Sequence, residues 1–308
     1  MKLATIELDG RQTPALLLDD GRLCDLHALA QTHVPSSLPF SLPARGTLTM
    51  GDLAAGGADT WAWCREIAPR AGDFHVMPGS YRLAAPVPRP PKNVFCLGRN
   101  YIEHIQEDNA SRNLQTQVPE HPQFFTKPWT AIVPAGAPVR YDQRVTRRLD
   151  YEVELAVIIG KGGRDIPADR AYDHVFGYSI VNDISARDLQ KRHDQWFKGK
   201  ALDGSCPFGP WIVSPDEVGD PHRLTISLKI NGELRQNAST GDMIFTIPRI
   251  VESLSAGLTL EPGDVIATGT PSGVGYAMNP RQWLKDGDLI ECEIQNIGTL
   301  ANRVTEVR

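Results

Sequence analysis

Cysteine is scarce in this sequence, and no cysteine belongs to a C-x-x-C pair. The five that occur are widely spaced, which disfavours a disulfide framework and a cysteine zinc site and fits a reducing compartment. They are Cys24, Cys64, Cys96, Cys206 and Cys292.

Long apolar runs and basic blocks are also missing. No run approaches the length of a membrane span, and the opening residues MKLATIELDG contain no apolar signal core. The net charge is −5 and no basic block exceeds the pair Arg147 and Arg148, which disfavours a nucleic-acid or anionic-membrane partner. We therefore expect a soluble cytoplasmic protein that acts on a small molecule.

The glycine-rich segment TGTPSGVG, residues 268–275, matches neither common nucleotide-binding motif. It lacks the G-K-[ST] of a P-loop, and its glycine spacing differs from that of the dinucleotide fingerprint. As a transition from strand to loop, it offers backbone N–H groups and the Thr270 hydroxyl to a carboxylate. It is a candidate substrate-binding segment.

What the sequence does contain is three carboxylates in two short apolar segments. Glu152 and Glu154 lie in DYEVELAVIIG, and Asp183 follows the apolar run that ends at 181. Alternate side chains of a strand share a face, so the two glutamates point the same way and are followed on that face by Ala156 and Ile158. A strand over 151–159 that is apolar on both faces is typically buried.

These carboxylates have two interpretations. An isolated E-x-E pair usually marks the solvated edge of a surface strand, because glutamate is rarely buried. The apolar continuation favours burial instead, where neighbouring carboxylates repel one another unless a cation lies between them. Three hard oxygen ligands without a nearby cysteine or histidine pair indicate Mg²⁺ or Mn²⁺ rather than zinc, with coordination positions left for a chelating substrate.

A short polar helix is predicted over 101–108, with Asn100 as its N-cap and Glu103 as the capping-box partner. This places His104 and Glu107 one turn apart on the same face. A carboxylate beside an imidazole raises its basicity, which a general base that activates water requires. The pair is either catalytic, on a mobile lid, or an ordinary ion pair on a surface helix.

Lysines near the carboxylates supply further candidates. The loop after Asp183 holds Gln190, Lys198 and Lys200, and an ammonium there would stabilise negative charge that develops on a substrate. Spacing alone does not choose between the two lysines, and lysines in glycine-rich loops are usually solvated. Lys127 in FFTKP is a candidate for the same pocket, with an ordinary strand-end lysine as the alternative.

The chain divides into two parts by composition. The first ~80 residues contain short alternating strands joined by Asp-Gly turns, and they carry no obvious chemistry. The proline-rich segment AAPVPRPPKN, residues 84–93, is typical of a linker between domains. We therefore predict a small N-terminal domain, 1–85, and a catalytic domain, 86–308.

Strands outnumber helices in the larger part. Helices are expected near 101–108, 185–194 and 247–256, the last with Thr246 as N-cap and Pro248 in its first turn. Helices this few do not alternate with strands as a doubly wound sheet requires. The predicted fold class is mixed α/β and rich in strands.

Seven segments, in this order, resemble the fumarylacetoacetate hydrolase superfamily. They run roughly from Pro90 to Arg303 and read GRNY with H-x-x-E, FTKP, DYEVELAVIIG, NDISARDLQ, GKALDGSCPFGPW, GDVIATGTPSGVG and IGTLANRV. The resemblance implies a β-roll catalytic domain, usually found as a homodimer, preceded here by a small N-terminal α/β domain.

The resemblance also implies a role for each candidate residue. It implies Lys200 rather than Lys198, because the family's lysine lies just before the S-C-P turn, here residues 205–207. The implied metal ligands are Glu152, Glu154 and Asp183, the implied lid dyad is His104 and Glu107, and the implied substrate contacts are Gln190, Lys200 and Thr270.

Enzymes of this kind act on 2-oxo acids that chelate the metal. The first hypothesis is hydrolysis of a C–C bond in a 2,4-diketo acid, of acylpyruvate or fumarylpyruvate type, to pyruvate and a carboxylic acid. His104 would take a proton from water, and Lys200 would offset charge on the tetrahedral intermediate. The alternatives are decarboxylation of an oxaloacetate-like acid, isomerisation of a 2-hydroxydienoic acid from aromatic degradation, and a binding module whose metal is structural.

Overall fold

The computed structural model describes residues 1–32, 47–112 and 118–307, and the side chains of all of these except 32 and 108–112. Its strands, numbered along the chain, are β1 (Lys2–Leu8), β2 (Arg11–Leu17), β3 (Leu23–Asp25), β4 (His75–Val76), β5 (Tyr81–Ala84), β6 (Val94–Gly98), β7 (Gln123–Lys127), β8 (Ile132–Val133), β9 (Val139–Tyr141), β10 (Leu149–Asp150), β11 (Val153–Ile159), β12 (Val175–Asn182), β13 (Ser185–Ala186), β14 (Cys206–Val213), β15 (Thr225–Ile230), β16 (Glu233–Ser239), β17 (Val265–Ala267), β18 (Leu289–Ile294) and β19 (Gly298–Glu306). Its α-helices are α1 (Leu26–Thr32), α2 (Met50–Ala55), α3 (Gly57–Ile67), α4 (Ile102–Arg112), α5 (Arg187–Arg192), α6 (Phe197–Lys200), α7 (Pro215–Val218) and α8 (Ile247–Ser255).

Most of these strands belong to two sheets. The larger has the order β4-β3-β2-β1-β14-β12-β11-β17-β6-β7, with β5 paired to β1 and β8 to β14. The smaller has the order β16-β15-β18-β19-β9, and β10 pairs with β13. This mixed α/β, strand-rich architecture confirms the predicted fold class.

Strand β11 lies between β12 and β17 inside the larger sheet and is buried on both faces. Val153 and Leu155 belong to one apolar cluster, whereas Ala156 and Ile158 belong to a second on the opposite face. Glu154 shares its face with Ala156 and Ile158, as the alternation predicted. The strand begins at Val153, two residues later than predicted, so Glu152 immediately precedes it.

The three predicted helices are present as α4, α5 and α8. Thr246 is at the N-cap position of α8 and Pro248 lies in its first turn, as predicted. The buried face of α8 includes Ile250, Val251 and Leu254. Within the described part of the chain, no helix is long and apolar enough to cross a membrane.

The first 85 residues contribute strands to the larger sheet. β1 pairs antiparallel with β14, with Lys2 opposite Val213 and Leu3 opposite Ile212. The division into domains at residue 85 stays a prediction. The strand pairing adds that the two parts share a hydrogen-bonded sheet.

Candidate active site

Three buried carboxylates meet where β11 begins and β12 ends. One oxygen from each of Glu152, Glu154 and Asp183 lies within 4.8 Å of the others. The pairing of β11 with β12 sets Val153 opposite Asn182, and the backbone N of Asp183 donates to the carbonyl of Glu152 at 2.8 Å. The strand register therefore brings together ligands that are some 30 residues apart in the chain.

Two lysine ammonium groups lie against these carboxylates. Lys200 Nζ is 2.6 Å from both Glu152 Oε2 and Asp183 Oδ2. Lys127 Nζ donates to Asp183 Oδ1 at 2.7 Å and to the carbonyl of Ile184 at 3.0 Å. Of the two lysines left open by the sequence, Lys200 reaches the site, and Lys198 is exposed on α6.

The two glutamates differ in electrostatic environment. Burial raises the pKa of Glu152, but the charges of Lys200 and Arg187 outweigh it and hold that pKa well below its ordinary value. Burial raises the pKa of Glu154 well above its ordinary value, and the charges of Asp183 and Glu152 raise it further.

The charge of Lys200 and one backbone hydrogen bond favour the ionised form of Glu154 but do not offset the rise in its pKa. It accepts one hydrogen bond from the backbone N of Gly269 at 2.8 Å. Gly269 has a φ of +98°, in the region that favours glycine, and a Cβ there would lie 2.7 Å from the Cβ of Asn100. Three buried carboxylates that are all hard oxygen donors, one of them with its pKa raised by the charge of the other two, fit Mg²⁺ or Mn²⁺.

Asp150 and Arg187 form a second charged pair that sequence reasoning missed. Arg187 Nη2 donates to Glu152 Oε1 at 2.6 Å, and its Nε donates to Asp150 Oδ2 at 2.9 Å. Asp150 also accepts from the backbone N of Gly275 and of Tyr276, at 2.9 and 3.0 Å. The sequence did contain a signal for this pair. Asp150, Glu152 and Glu154 are spaced two residues apart, and a third acidic residue in such a row requires a cation nearby.

A cavity of about 510 Å³ opens over the carboxylates. Among its walls are four residues that the sequence singled out besides the two glutamates, namely His104, Gln190, Lys200 and Thr270. Further lining side chains come from Arg99, Phe125, Arg187, Lys191, His193, Asp194, Trp196 and Tyr276. The cavity thus holds several cations beside a cluster of carboxylates, which suits a chelating anion.

Helix α4 borders the cavity through His104 and carries the predicted dyad. His104 Nδ1 lies 3.7 Å from Glu107 Oε2, which is longer than a hydrogen bond. Both oxygens of Glu107 instead accept from the backbone N of Gly273, at 3.1 Å. His104 Nδ1 is buried and has no hydrogen-bond partner among the described residues. The imidazole and the carboxylate are therefore adjacent, while Glu107 fastens α4 to the glycine-rich segment.

The prediction that Asn100 caps α4 is wrong. The helix begins at Ile102, and Asn100 is fully buried. Its Oδ1 accepts from the backbone N of Phe245 at 2.7 Å, and its Nδ2 donates to the carbonyls of Phe245 and Thr268 at 3.0 and 2.8 Å. These hydrogen bonds connect the segments around residues 100, 245 and 268, and a local sequence pattern does not reveal contacts between segments so far apart in the chain.

The proposed substrate contacts differ in how they are placed. Gln190 Oε1 accepts from Arg187 Nη1 at 3.1 Å, and Thr270 Oγ1 accepts from Gln236 Nε2 at 2.9 Å. Both line the cavity. Lys127 is fully buried and directed at Asp183, a geometry that suits orientation of that carboxylate better than contact with substrate. These roles stay predictions.

Comparison with known proteins gives relatives along the entire chain. The chain is 45% identical over 306 residues to oxaloacetate tautomerase YisK of Bacillus subtilis, an alignment that covers 99% of this chain and 100% of the relative. It superposes on a solved fumarylacetoacetate hydrolase from Exiguobacterium antarcticum with a TM-score of 0.79, at 39% identity and with complete coverage of both chains. A 5-carboxymethyl-2-hydroxymuconate delta-isomerase from Mycobacterium smegmatis superposes with a TM-score of 0.74, at 30% identity and again over 100% of both chains.

The sequence also matches a defined protein family over most of its length. Residues 93–305 match the family described as fumarylacetoacetate (FAA) hydrolase C-terminal. This region contains the carboxylates, both lysines, the dyad and the glycine-rich segment. By this match and by its relatives, the chain belongs to the fumarylacetoacetate hydrolase family of enzymes.

Proposed function

We propose that this protein is a divalent-metal-dependent enzyme that catalyses proton transfer next to the carbonyl of a 2-oxo dicarboxylic acid, as in the keto–enol tautomerisation of oxaloacetate. The observation that carries the proposal is 45% identity over 99% of the chain to an oxaloacetate tautomerase. The isomerase among the structural relatives supports the same class of chemistry. This replaces hydrolysis, the first hypothesis from the sequence, as the preferred reaction.

The carboxylate cluster is where such a substrate would be activated. Glu152, Glu154 and Asp183 would hold Mg²⁺ or Mn²⁺, which when bound supplies a Lewis acid that polarises the 2-oxo group and acidifies the neighbouring C–H. Lys200, already within 2.6 Å of two of these carboxylates, would add positive charge beside the oxygen on which negative charge develops.

His104 is the candidate for moving the proton. It lines the cavity, and its Nδ1 has no hydrogen-bond partner among the described residues. In tautomerisation the imidazole would take the proton from C3 and return it to the enolate oxygen, so no atom is gained or lost. Arg187, held by Asp150, would keep Glu152 ionised and in place.

Decarboxylation of the same substrate needs few changes at this site. The bond from C3 to the C4 carboxylate would break, carbon dioxide would leave, and its electron pair would pass into the pyruvate enolate. That enolate would then take a proton at C3. Because the negative charge forms on the same oxygen, the groups that favour tautomerisation would also favour this step.

Hydrolysis of an acylpyruvate remains a second candidate because of the His104 and Glu107 pair. Glu107 Oε2 lies 3.7 Å from His104 Nδ1, close enough to form a hydrogen bond after a small shift. A general base of this kind would activate water for attack on the distal carbonyl, and one water would be consumed for each C–C bond broken. Neither tautomerisation nor decarboxylation needs a water nucleophile.

Nuclear magnetic resonance of two parallel reaction mixtures, one with oxaloacetate and one with acetopyruvate, separates the three reactions. Oxaloacetate in deuterated buffer with Mg²⁺ or Mn²⁺ should show enzyme-dependent exchange of the C3 protons and faster return to the keto–enol equilibrium than metal alone produces. Pyruvate with carbon dioxide would report decarboxylation. Acetopyruvate in a parallel sample would give acetate and pyruvate if the protein is a hydrolase.

The matched controls are the chelated protein and the Glu154→Gln variant, which alters one proposed ligand without changing its shape. Exchange that equals the rate of metal alone, together with cleavage of acetopyruvate, would replace the tautomerase proposal with the hydrolase.

A further inference from the structure

A basic cleft of about 540 Å³ lies next to the active-site cavity. It is formed by residues 143–148, which precede β10, and by helix α5. Its charged lining has five cations and one carboxylate, which are Arg144, Arg147, Arg148, Lys191, Arg192 and Asp188. Because the whole chain has a net charge of −5, this concentration of positive charge runs against its composition.

Most of this positive charge is not neutralised within the protein. Arg144 pairs with Asp142, with Nη2 2.6 Å from Oδ2. The other four cations are Arg147, Arg148, Lys191 and Arg192, and all four are exposed. They form no ion pair with the described side chains of residues 1–31, 47–107 and 118–307.

Asp188 offsets one of the five positive charges of the cleft, and its hydrogen bonds hold the loop. Its Oδ1 accepts from Thr146 Oγ1 at 2.6 Å, and its Oδ2 accepts from the backbone N of Arg147 at 3.4 Å. The backbone N of Arg187 donates to the carbonyl of Arg148 at 3.0 Å, so the same loop is also tied to the first turn of α5. The arginines therefore extend from a backbone fixed to the helix that borders the cavity.

Helix α5 joins the cleft to the active site. Lys191 lines both the cleft and the cavity, and Arg187 and Gln190 on the same helix line the cavity. With 6 residues, α5 spans about 9 Å at 1.5 Å per residue. The Debye length is about 8 Å at physiological ionic strength and about 30 Å at ~0.01 M. The field of the cleft is therefore partly screened along α5 at physiological salt and reaches the mouth of the cavity in full at low salt.

We propose that the basic cleft attracts doubly charged 2-oxo acids towards the cavity and thereby sets a preference for dicarboxylates over monocarboxylates. This inference rests on the proposed function, since it takes the substrate to be a dianion. Surfaces of one sign beside a site raise the local concentration and association rate of an oppositely charged substrate by about 10- to 10³-fold. A dianion gains twice the electrostatic energy of a monoanion in the same field, so the cleft discriminates by charge.

The test compares two triple variants with equal changes in net charge. Arg147→Gln/Arg148→Gln/Arg192→Gln neutralises the cleft and leaves Lys191, which lines the cavity, unchanged. The control, Arg70→Gln/Arg82→Gln/Lys161→Gln, removes three exposed cations that line neither the cleft nor the cavity. The substrates are oxaloacetate and its 4-methyl ester, which keeps the reacting atoms and carries one negative charge fewer.

We expect kcat/KM for oxaloacetate in the cleft variant to fall about 10-fold in ~20 mM salt, with kcat nearly unchanged. The loss for the methyl ester should be about 3-fold, the square root of the dianion effect. Both losses should vanish in ~500 mM NaCl, where the field is screened. The control variant should follow the wild type throughout.

Two results would overturn the inference. One is a salt dependence of kcat/KM that is the same in the wild type and the cleft variant. The other is an altered elution volume of the cleft variant in gel filtration, which would assign the cleft to contact between copies of the chain.

Failure of the proposed function would look different, because the wild type would then turn over neither substrate. Calorimetric binding of oxalate, a chelating dianion, to the Mg²⁺-loaded protein would still test the cleft. The cleft variant should bind oxalate more weakly than the control variant at low salt, and equal binding would refute the attraction.

Discussion

Glu154 is the carboxylate at which a proton and a metal ion compete. Burial and the charges of Asp183 and Glu152 raise its pKa well above the ordinary value, so the metal-free protein keeps a proton there to higher pH than an ordinary glutamate does. A divalent cation that binds below that pKa must displace this proton. While Glu154 is protonated, each unit rise in pH should increase the affinity for Mn²⁺ by up to about tenfold. The increase should level off above the raised pKa, and calorimetry at a series of pH values measures it.

The variant Glu154→Gln separates this effect from general changes with pH. It removes the competing proton together with one ligand charge, so binding of Mn²⁺ should be weaker and less dependent on pH. Proton release measured in two buffers of different ionisation enthalpy should likewise decrease. If wild-type affinity were independent of pH, Glu154 would not carry the competing proton.

Lys200 and Lys198 form a natural matched pair two residues apart. Lys200 is nearly fully buried against Glu152 and Asp183, whereas Lys198 is exposed. Because an ammonium at the site acts on charge that grows in the transition state, Lys200→Met should lower kcat by at least about 10²-fold with little change in KM. Lys198→Met should remain close to the wild type in steady-state kinetics.

Thermal melting with metal present checks that Lys200→Met is folded, since the substitution leaves two buried carboxylates with less positive charge. If Lys198→Met lost activity and Lys200→Met did not, the catalytic ammonium would be that of Lys198. Full activity in both variants would remove lysine from the mechanism.

Among individual residues, the three carboxylates and the two lysines beside them were predictable as candidates, whereas Arg187 was not. Glu152 and Glu154 share a face because alternation is a property of any strand. Arg187 reaches Glu152 only because β11 and β12 pair and α5 follows, which is tertiary information. Asn100 failed as a predicted cap because its three hydrogen bonds go to residues about 145 and 168 positions away.

Helix α4 is attached to the glycine-rich segment at two points. Glu107 accepts from the backbone N of Gly273, and Glu103 accepts from Ser272 Oγ at 3.1 Å. Gly273 has a φ of +103°, and a Cβ there would lie 2.1 Å from the carbonyl oxygen of Arg235. Only glycine fits this position, so the attachment of α4 depends on it.

Two substitutions on α4 should therefore have different kinetic effects. His104→Ala removes the candidate base and should slow proton transfer by about 10²- to 10⁴-fold in kcat. Glu107→Ala releases the helix and should change kcat and KM together, as loss of a lid contact does. C3 exchange measured over a range of substrate concentrations distinguishes the two effects.

Glu103→Ala is the control for this pair, because it removes an exposed contact of the same helix and should alter either constant by less than about threefold. The hydrolase alternative makes a distinct prediction for His104→Ala. Cleavage of an acylpyruvate would then fall much further than any decarboxylation, which needs no water nucleophile. Equal losses in both reactions would indicate that His104 positions the substrate.

Individual strands and helices could be predicted from the sequence more fully than their arrangement in the fold. The run AVII after Glu154 predicted a strand buried on both faces, and β11 is such a strand. The proline and N-cap pattern located α8 to within one residue. The order of strands was not accessible, because β17 lies between β11 and β6 through contacts between residues about 110 and 170 positions apart.

The two parts of the chain that composition distinguishes have one apolar cluster in common. This cluster combines Leu3, Leu16 and Trp61 with Phe176 and Phe208, from both sides of the proline-rich segment. Within it, Trp61 stacks on Phe176 with ring centroids 4.9 Å apart. The indole Nε1 also donates to the carbonyl of Phe176 at 2.8 Å. These contacts make the N-terminal part a support for β12, the strand that leads to Asp183.

A shared sheet and apolar cluster predict that the chain unfolds as one unit. Urea denaturation should give coincident transitions for tryptophan fluorescence and far-ultraviolet circular dichroism, because separate domains would unfold at separate midpoints.

Trp61→Ala should lower the free energy of unfolding by about 3–5 kcal/mol, the usual effect of truncating a buried aromatic side chain. If β12 and Asp183 unfold together with the N-terminal part, Trp61→Ala should also weaken metal binding, because Asp183 is a proposed ligand. Two resolved transitions, with Trp61→Ala shifting one of them and leaving metal affinity intact, would show that residues 1–85 fold independently of the metal-binding part.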